Sequence, residues 1–271
     1  MRIVDLSVTL DNDRSWAPWW ARNKVIRQSH RFGSLAVFIL HRLTPSFLKN
    51  RLGWANDVLK ISTHGTTHLD APWHYGPLSE GRRAKTIDEI PLEWCMGNGV
   101  VLDMTDKQHG EAISVDDVKE ALARIGYSLK PMDIVLIRTG GDRLLGSPEY
   151  FTHGTGVSAE ATRFILDQGV KITGIDAWGW DLPLPVQAER AKKTGNRRLF
   201  WEAHYVGVEK EYCHLERLAN LDRLPATGFT VCCFPLKIKG ASAGPARVVA
   251  LVNGDVPCAK DPQPNEKGMP S

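Results

Sequence analysis

The chain has 271 residues, of which 42% are hydrophobic and 24% are charged, as in an ordinary globular protein with a substantial core. Its 34 basic and 31 acidic residues leave a formal net charge of +3, which is too small to indicate a nucleic-acid-binding protein. The short basic cluster of Lys192, Lys193, Arg197 and Arg198 is typical of a solvated loop.

Targeting and redox features favour the cytoplasm. The N-terminal residues lack the apolar core and the small-residue cleavage site of a signal peptide. The longest apolar stretch, residues 35–40, is far shorter than the roughly 20 residues that span a bilayer. The five cysteines lack the CxxC spacing of a metal site and are interpreted as reduced thiols. We therefore predict a cytoplasmic protein with neither membrane nor nucleic-acid partners.

The first part of the chain begins with a strand and continues into a segment that is harder to assign. Residues 2–8 alternate apolar and polar side chains, which predicts an opening strand. Residues 16–55 contain many aromatic side chains without a clear period, and we interpret them as a partly helical lid or insertion. A buried strand is predicted at residues 99–104. The helix that follows has Ser114 as its N-cap and ends just before Gly126.

The pattern then repeats. Further strands are predicted at residues 133–138, 170–176, 229–236 and 246–252. A second helix, capped by Ser158, ends at Gly169. Strands that alternate with helices indicate an α/β fold, and the two late strands favour a mixed sheet. We predict a single domain over residues 1–254 and a flexible, proline-rich tail at residues 255–271.

The segment STHGTTHLDAPWHY, residues 62–75, concentrates residue types that bind metal ions. His64, His68, Asp70 and His74 all occupy even positions, so an extended chain would project them to one face. On a helix His68 and Asp70 would point about 200° apart. The proline, glycine and β-branched residues of the segment also disfavour a helix. The composition therefore predicts an extended segment with converging side chains.

This cluster has the chemistry of a metal site. Two imidazoles and one carboxylate, from His64, His68 and Asp70, suit Zn²⁺ or Mn²⁺. Such a donor set leaves coordination positions open for water, as catalytic centres do. The alternative interpretation is a chance cluster of surface histidines.

The same segment resembles a family signature. HGTTHLDAPWH is similar to the HxGTHxDxPxH signature of the cyclase family of metal-dependent hydrolases, the family of bacterial kynurenine formamidase and isatin hydrolase. The family has glycine two residues after the first histidine, whereas here Gly65 precedes Thr66, which affects the local turn but not the ligand spacing. The blocks DLS, DIVLIRTG, GIDAWGWD and GFTVCCFPLKIKG…GPARVVAL also look like family blocks.

The resemblance implies a fold, an assembly and a first metal site. The implied fold is a mixed sheet or flattened barrel with flanking helices, of the swivelling β/β/α type. The implied assembly is a homodimer or homotetramer. By this resemblance His64, His68 and Asp70 would bind one ion.

The resemblance also implies ligands beyond the signature. His204 and Glu216 have the twelve-residue separation of the family's further histidine and glutamate, and with Asp70 they would bind a second ion, which Glu216 could bridge to the first. Without the family spacing these two residues are weak candidates, because His214 and Glu211 lie close by. The choice of Zn²⁺ or Mn²⁺, and of one ion or two, stays open.

The implied chemistry is hydrolysis. A bound cation lowers the pKa of its water from about 15.7 to near 7, so that hydroxide becomes available to attack an amide, lactam or formamide carbonyl. By resemblance His74 is the proton shuttle, a role that suits an imidazole with a pKa of about 6.5.

Tryptophans are the candidates for substrate binding. Trp16, Trp19 and Trp20 lie where family members place an aromatic side chain over the substrate, and we select Trp19. Trp178 and Trp180 are expected on the opposite wall, although a tryptophan is as often core filler. We therefore predict a small, flat aromatic or heterocyclic substrate.

Several alternatives remain beside the hydrolase. The same metal site could serve a lactonase or a dehydratase, or a metal-binding protein without catalytic activity. Residues 35–48 could dock on a membrane surface, although such a patch is more often a dimer contact or a pocket lid. Arg138 could bind a substrate carboxylate, although an arginine at a strand end more often pairs with a protein acid.

Overall fold

The structure is a computed structural model that describes residues 1–12 and 17–253, apart from the side chain of Trp20. The predictions for Trp16 and for a flexible tail at residues 255–271 lie outside this part of the chain. The extent of the single domain, residues 1–254, stays a prediction. None of the helices in residues 1–12 and 17–253 is long and apolar enough to cross a membrane.

The described residues form fifteen strands and seven α-helices. The strands are β1 (Arg2–Asp5), β2 (Lys24–Gln28), β3 (Asn56–Lys60), β4 (His68–Asp70), β5 (Leu78–Ser79), β6 (Arg82–Arg83), β7 (Met96–Asp103), β8 (Ala112–Ile113), β9 (Ile134–Arg138), β10 (Gly156–Val157), β11 (Ile172–Ile175), β12 (Cys213–Glu216), β13 (Phe229–Cys232), β14 (Ala243–Pro245) and β15 (Val249–Val252). The α-helices are α1 (His30–His41), α2 (Pro72–Tyr75), α3 (Val115–Arg124), α4 (Glu149–Thr152), α5 (Ala159–Asp167), α6 (Leu184–Thr194) and α7 (Val206–Glu209).

Among the described strands, nine form one curled, mixed sheet in the order β1-β15-β13-β7-β9-β11-β12-β4-β14. The central strands β7, β9, β11 and β12 run parallel to one another. The pairs on either side of them are antiparallel, and β1 at one edge pairs with β15. The predicted α/β class with a mixed sheet is confirmed.

Both faces of the central sheet are buried, because alternate residues of its strands enter two separate apolar clusters. Val101 of β7 joins the cluster that contains β12, β13 and β15. Val100 and Leu102, its neighbours on the same strand, pack in the other cluster with α3 and α5. A strand that is covered on both sides has a continuous apolar sequence rather than an alternating one. This explains why VVL and IVLI were recognisable as buried strands.

The two predicted helices begin at their predicted caps. The Ser114 hydroxyl accepts a hydrogen bond from the Asp117 N–H at the start of α3, and the Ser158 hydroxyl accepts one from the Ala161 N–H at the start of α5. Gly126 follows α3 with a φ of 62°, a left-handed conformation that glycine adopts without steric cost.

Residues 24–60 form an arm, which overlaps the predicted lid or insertion at residues 16–55 and extends five residues beyond it. Its two strands, β2 and β3, pair with each other and not with the large sheet. Between them α1 buries Gly33, Ser34 and Val37 and exposes most of its other side chains. Every residue of β3 is exposed.

The prediction of one extended segment at residues 62–75 is wrong outside β4. His64 lies in a turn, where the Gly65 N–H donates to the Ser62 carbonyl at 2.9 Å. His74 lies on the short helix α2, which has Pro72 at its first position. Proline suits the first turn of a helix, since its φ is already helical and its missing N–H is not needed there. The four side chains therefore come from a turn, a strand and a helix.

Candidate metal centre

The register between β4 and β12 places acidic and imidazole side chains opposite one another. His68 is opposite Glu216, and Asp70 is opposite His214. The leucines between them on both strands join the apolar core on the other face. Because side chains alternate along a strand, this register collects two imidazoles and two carboxylates on one face.

Asp70 lies at the centre of the cluster and is completely buried. Its Oδ1 is 2.8 Å from His64 Nδ1 and 3.2 Å from His68 Nε2. Its Oδ2 faces three further imidazole nitrogens, which are Nε2 of His214 at 3.0 Å, of His74 at 3.6 Å and of His204 at 4.0 Å. The two oxygens of this carboxylate thus face two different sets of imidazoles.

Glu216 is the second buried carboxylate. Its Oε1 lies 3.3 Å from His214 Nε2 and 3.5 Å from His204 Nε2, and its Oε2 lies 3.6 Å from His68 Nε2. The backbone N–H of Trp180 donates to Oε1 at 2.9 Å, which fixes the rotamer of the carboxylate.

Hydrogen bonds from outside the cluster orient two of the imidazoles. The carboxylate of Asp181 contacts His204 Nδ1 and accepts the N–H groups of Ala203 and His204 at 2.8 and 3.1 Å. Nδ1 of His214 lies 3.2 Å from the Tyr212 hydroxyl. Both imidazoles therefore turn Nε2 towards Asp70 and Glu216, as metal-binding histidines do when their other nitrogen is held.

These side chains fit a metal ion. Two groups of side chains are compact enough for this, because the ligand atoms within each group lie within 4.8 Å of one another. The first group is Asp70, His204, His214 and Glu216, and the second is His64, Asp70 and His74. Despite the nearby nitrogens, the buried Asp70 Oδ1 makes no hydrogen bond to any described residue. A cation between these atoms would give the buried oxygen a directed partner, and the nearby imidazoles would become its fellow ligands. Imidazole and carboxylate donors suit Zn²⁺ or Mn²⁺.

The carboxylates are ionised in this environment. Burial alone would raise the pKa of Asp70, but the imidazoles of His74 and His64 hold it well below its usual range. Burial would also raise the pKa of Glu216, but the hydrogen bond with His214 lowers it to about 2. For His214 burial opposes protonation, yet the hydrogen bonds to Asp70 and Glu216 raise its pKa to about 9. A cation that binds here would displace imidazole protons.

A cavity of about 470 Å³ adjoins the cluster. His64, His74, His204 and Glu216 line its polar end. Its walls are largely aromatic, with side chains from Tyr150, Phe151, Trp178, Phe200 and Trp201. Burial lowers the pKa of His74 to about 3, so this imidazole is neutral beside the cavity. The cavity can hold a flat molecule against a potential metal site.

Comparison with known proteins decides the family. The model of the Cyclase family matches residues 4–182, which is more than half of the 271 residues. The chain belongs to the cyclase family. Isatin hydrolase from Roseibium aggregatum is 26% identical over 71% of this chain and 73% of its own length. Kynurenine formamidase from Salinibacter ruber is 23% identical over 70% of this chain and 77% of its own length.

Solved structures agree with this assignment. Isatin hydrolase A from Ralstonia solanacearum superposes with a TM-score of 0.71 and 25% identity, over 93% of this chain and 92% of that one. Isatin hydrolase A from Labrenzia aggregata, bound to benzyl benzoate, gives a TM-score of 0.70 and 26% identity over 93% and 94%. The cyclase-family fold expected from the signature is confirmed.

In this cyclase-family chain the five residues expected to bind metal come together around Asp70. They are His64, His68, Asp70, His204 and Glu216. The expected first group is compact, because His64 Nδ1, His68 Nε2 and Asp70 Oδ1 lie within 3.2 Å of one another. His74 also lies near His64 and Asp70, and His68 faces Glu216 as well as Asp70. Their roles as ligands, and that of His74 as proton shuttle, stay predictions.

His214 is a member of the cluster that the sequence analysis missed. The family spacing selects His204 in its place, yet both imidazoles face Glu216. The available signal was the spacing of two between His214 and Glu216 in a short apolar strand, which puts both on one face. Glu211, the other nearby alternative, instead pairs with Lys85.

The tryptophan predictions have mixed outcomes. Trp178 lines the cavity. Trp180 does not, because it is completely buried and donates its indole N–H to the Thr162 hydroxyl at 3.0 Å. Trp19 is 80% exposed and is not among the described residues that line the cavity. Trp19 begins a short 3-10 helix, Trp19–Ala21. Ala17 before this helix and Ala21 at its end are buried instead, and the indole of Trp19 faces outward.

Arg138 pairs with a protein acid rather than lying where it could bind a substrate carboxylate. Its guanidinium pairs with the Asp103 carboxylate at 2.7 Å, across the register of β7 and β9. It is not among the described residues that line the cavity, so the expectation of a substrate contact is not met.

Proposed function

We propose that this protein is a metal-dependent hydrolase that cleaves the amide, lactam or formamide C–N bond of a small aromatic substrate. The observation that carries the proposal is the buried Asp70, whose two oxygens face five imidazoles at the polar end of an aromatic cavity. The relatives named isatin hydrolase and kynurenine formamidase support the same class of reaction.

Asp70, His204, His214 and Glu216 would hold one cation, and His64 and His68 lie at the other oxygen of Asp70. Bound Zn²⁺ or Mn²⁺ would acidify a water molecule and offset the negative charge that develops on the carbonyl oxygen. Asp181 keeps His204 in the tautomer that presents Nε2 to the cluster, because its carboxylate holds Nδ1. Which of the two cations is native, and whether one or two bind, belongs to the proposal.

His74 is the residue proposed to move the proton. It lines the cavity, and its Nε2 lies 3.6 Å from Asp70 Oδ2. From this position His74 would accept a proton from the attacking water and return it to the leaving nitrogen, with the negative charge of Asp70 offsetting the burial that opposes its protonation. Trp201 packs edge-on against His74, with ring centroids 5.1 Å apart, and limits its rotation.

An aromatic substrate is supported by the cavity walls. Trp178 lies against Phe151 with ring centroids 5.1 Å apart, and Trp201 stacks on His204 at 4.5 Å with an angle of 17° between the planes. Offset and edge-to-face aromatic contacts favour flat rings in such a cavity.

The proposal is tested with purified protein freed of metal by a chelator and then loaded with Zn²⁺ or Mn²⁺. A panel of formanilides, isatin-like lactams and aryl lactones separates amide cleavage from lactonase activity. We expect turnover of at least one amide or lactam by the loaded protein and none by the metal-free protein. Metal binding without turnover of any compound would favour the non-catalytic alternative.

The assembly and the cellular location remain proposals. We propose a homodimer or homotetramer, supported by the exposed apolar side chains of the arm, such as Leu40 and Phe47. Light scattering on the purified protein measures the mass directly. A cytoplasmic location is proposed on the cysteine usage of the sequence, and fractionation of cells tests it.

A further inference from the structure

Trp201 has an unusual backbone conformation next to the candidate metal centre. Its φ of 62° lies in the left-handed region, which disfavours a side chain with a Cβ atom. Trp201 lines the cavity, and its indole covers two imidazoles of the cluster, since it stacks on His204 and lies edge-on to His74. A residue that covers both rings is therefore held in a conformation that needs support from its surroundings.

Gln187 supplies this support from α6. Its Oε1 accepts a hydrogen bond from the Trp201 N–H at 2.5 Å, and its Nε2 donates to the Leu182 carbonyl just before the helix. The side chain is only 3% exposed, so both hydrogen bonds of its amide are made inside the protein. Because a buried N–H without an acceptor is costly, the contact with Gln187 stabilises the left-handed conformation of Trp201.

The chain between Gln187 and Trp201 makes an exposed excursion, which contains the rest of α6 and a 3-10 helix at Arg197–Leu199. Its exposed side chains include the basic cluster that was predicted as a solvated loop, which consists of Lys192, Lys193, Arg197 and Arg198. None of residues 188–199 is among the described residues that line the cavity. The excursion closes at the hydrogen bond between Gln187 and Trp201, so this bond sets where the indole re-enters the cavity wall.

His204 has a separate support. The Asp181 carboxylate contacts its Nδ1 and accepts the N–H groups of Ala203 and His204. Loss of the Gln187 contact would therefore leave this imidazole in place for a metal ion. The ring that depends on the position of the indole is His74, because it packs against the indole edge.

We propose that Gln187 is a positioning residue, which holds Trp201 over the two imidazoles and thereby fixes the ring of His74 in the orientation that moves the proton. This inference rests on the proposed hydrolase function for the proton transfer, and Gln187 acts on that step through Trp201. A proton moves efficiently only when its donor and acceptor are within hydrogen-bond distance, so a small displacement of His74 is expected to slow turnover.

The test is a double-mutant cycle of Gln187→Met and Trp201→Ala on the metal-loaded enzyme, with the best amide of the panel. Methionine has a similar unbranched shape and lacks the amide. We expect Gln187→Met to lower kcat by about 10- to 100-fold, while metal content stays at the wild-type level. In the Trp201→Ala background the same substitution should change kcat by less than about threefold, because residues that act through one contact are not additive.

Gln168→Met is the matched control. The Nε2 of Gln168 also donates to a backbone carbonyl, that of Phe164, and Gln168 is not among the described residues that line the cavity. Its substitution removes a comparable hydrogen bond at a distance from the indole, so kcat should stay within about twofold of the wild type.

Fluorine NMR separates this inference from the proposed function. The protein has nine tryptophans, and in protein labelled with fluorotryptophan the resonance that is absent from Trp201→Phe belongs to Trp201. Gln187→Met should shift or broaden this resonance and leave those of the other tryptophans, such as the buried Trp180, in place. If the wild type hydrolyses no amide while the Trp201 resonance still depends on Gln187, the hydrolase is refuted and the hold of Gln187 on Trp201 stands.

Other results would overturn the role of Gln187. An unchanged Trp201 resonance in Gln187→Met would show that the contact does not hold the indole. Displacement of all the tryptophan resonances would show that Gln187 stabilises the fold as a whole. An unchanged kcat in Gln187→Met, or an equal loss of kcat with and without the indole, would show that Gln187 does not act through Trp201.

Discussion

The strand β4 and the arm at residues 24–60 are neighbours in sequence, but β4 buries polar side chains whereas the arm exposes apolar ones. All three residues of β4 are buried, and two of them, His68 and Asp70, are polar. In the arm Leu40 is 69% exposed and Phe47 is 73% exposed, although both are apolar. Burial here follows the number of neighbouring elements rather than the polarity of the residue.

This difference between β4 and the arm shows how the fold stabilises buried polar side chains. β4 has hydrogen-bonded strands on both sides, so its register with β12 fixes which imidazole faces which carboxylate. The strands of the arm pair only with each other, and most side chains of α1 are exposed. Buried polar side chains are tolerated when each is matched by a partner, and a metal ion matches several at once.

The largest effect is expected where both ligand groups meet. Asp70→Asn removes the charge shared by the two groups and should reduce activity by about 1,000-fold or more, together with the bound metal. Metal content by mass spectrometry and kcat/KM on the best amide measure both losses. Asp116→Asn, an exposed substitution on α3, is the control. Retention of metal and activity by Asp70→Asn would show that the buried carboxylate of β4 is not needed to hold the metal.

A smaller loss, without loss of metal, is expected at the proton shuttle. His74→Gln keeps a polar side chain on α2 but cannot carry a proton between water and the leaving nitrogen. We expect kcat to fall by about 100- to 1,000-fold while metal content stays at the wild-type level. If the metal leaves with the imidazole, His74 is a ligand and not a shuttle.

A residue behind the cluster should have a more moderate effect. Asp181→Asn leaves the His204 ring in place but weakens the contact that orients it. The apparent metal affinity, titrated with Zn²⁺, should fall by about 10- to 100-fold. Activity should return at saturating metal, since the ligands themselves are intact. A loss of activity that excess metal does not restore would assign Asp181 a direct part in the reaction.

The smallest effect on the metal centre is expected from the arm. A Cβ atom on Gly33 would lie 2.0 Å from the Trp54 carbonyl oxygen, so Gly33→Ala must force α1 away from the segment before β3. Hydrogen exchange over residues 24–60 should accelerate, while metal content remains that of the wild type. Leu40→Ser on the exposed face should change stability by less than about 0.5 kcal/mol. Loss of metal in Gly33→Ala would show that arm and centre are coupled.

The sequence predicts most of the scaffold because its signals are local. The caps at Ser114 and Ser158 and the apolar runs of β7 and β9 each depend on a few neighbouring residues. The family signature brings His64, His68 and Asp70 to one place, although the extended geometry first inferred for them was wrong. A turn before β4 and a proline-initiated helix after it produce the same convergence.

Other parts of the site depend on contacts between distant segments. His214 belongs to the cluster because β12 pairs with β4 in one register, which a spacing rule based on His204 does not contain. Trp201 covers His204 through a left-handed backbone that Gln187 holds, and a sequence window does not indicate it. The orientation of Trp19 is set by the burial of Ala17 and Ala21.

The most direct test of the metal centre is anomalous diffraction from crystals of the Mn²⁺-loaded wild-type protein. We predict one or two anomalous peaks between Asp70, Glu216 and the imidazoles, at about 2.0–2.3 Å from the ligand atoms. At least one peak should be coordinated by an oxygen of Asp70 and by Nε2 of His204 or His214. If the crystallised protein contains Mn²⁺ by metal analysis but shows no anomalous peak in this cluster, the account is contradicted. A peak elsewhere that leaves Asp70 without a metal bond would contradict it as well.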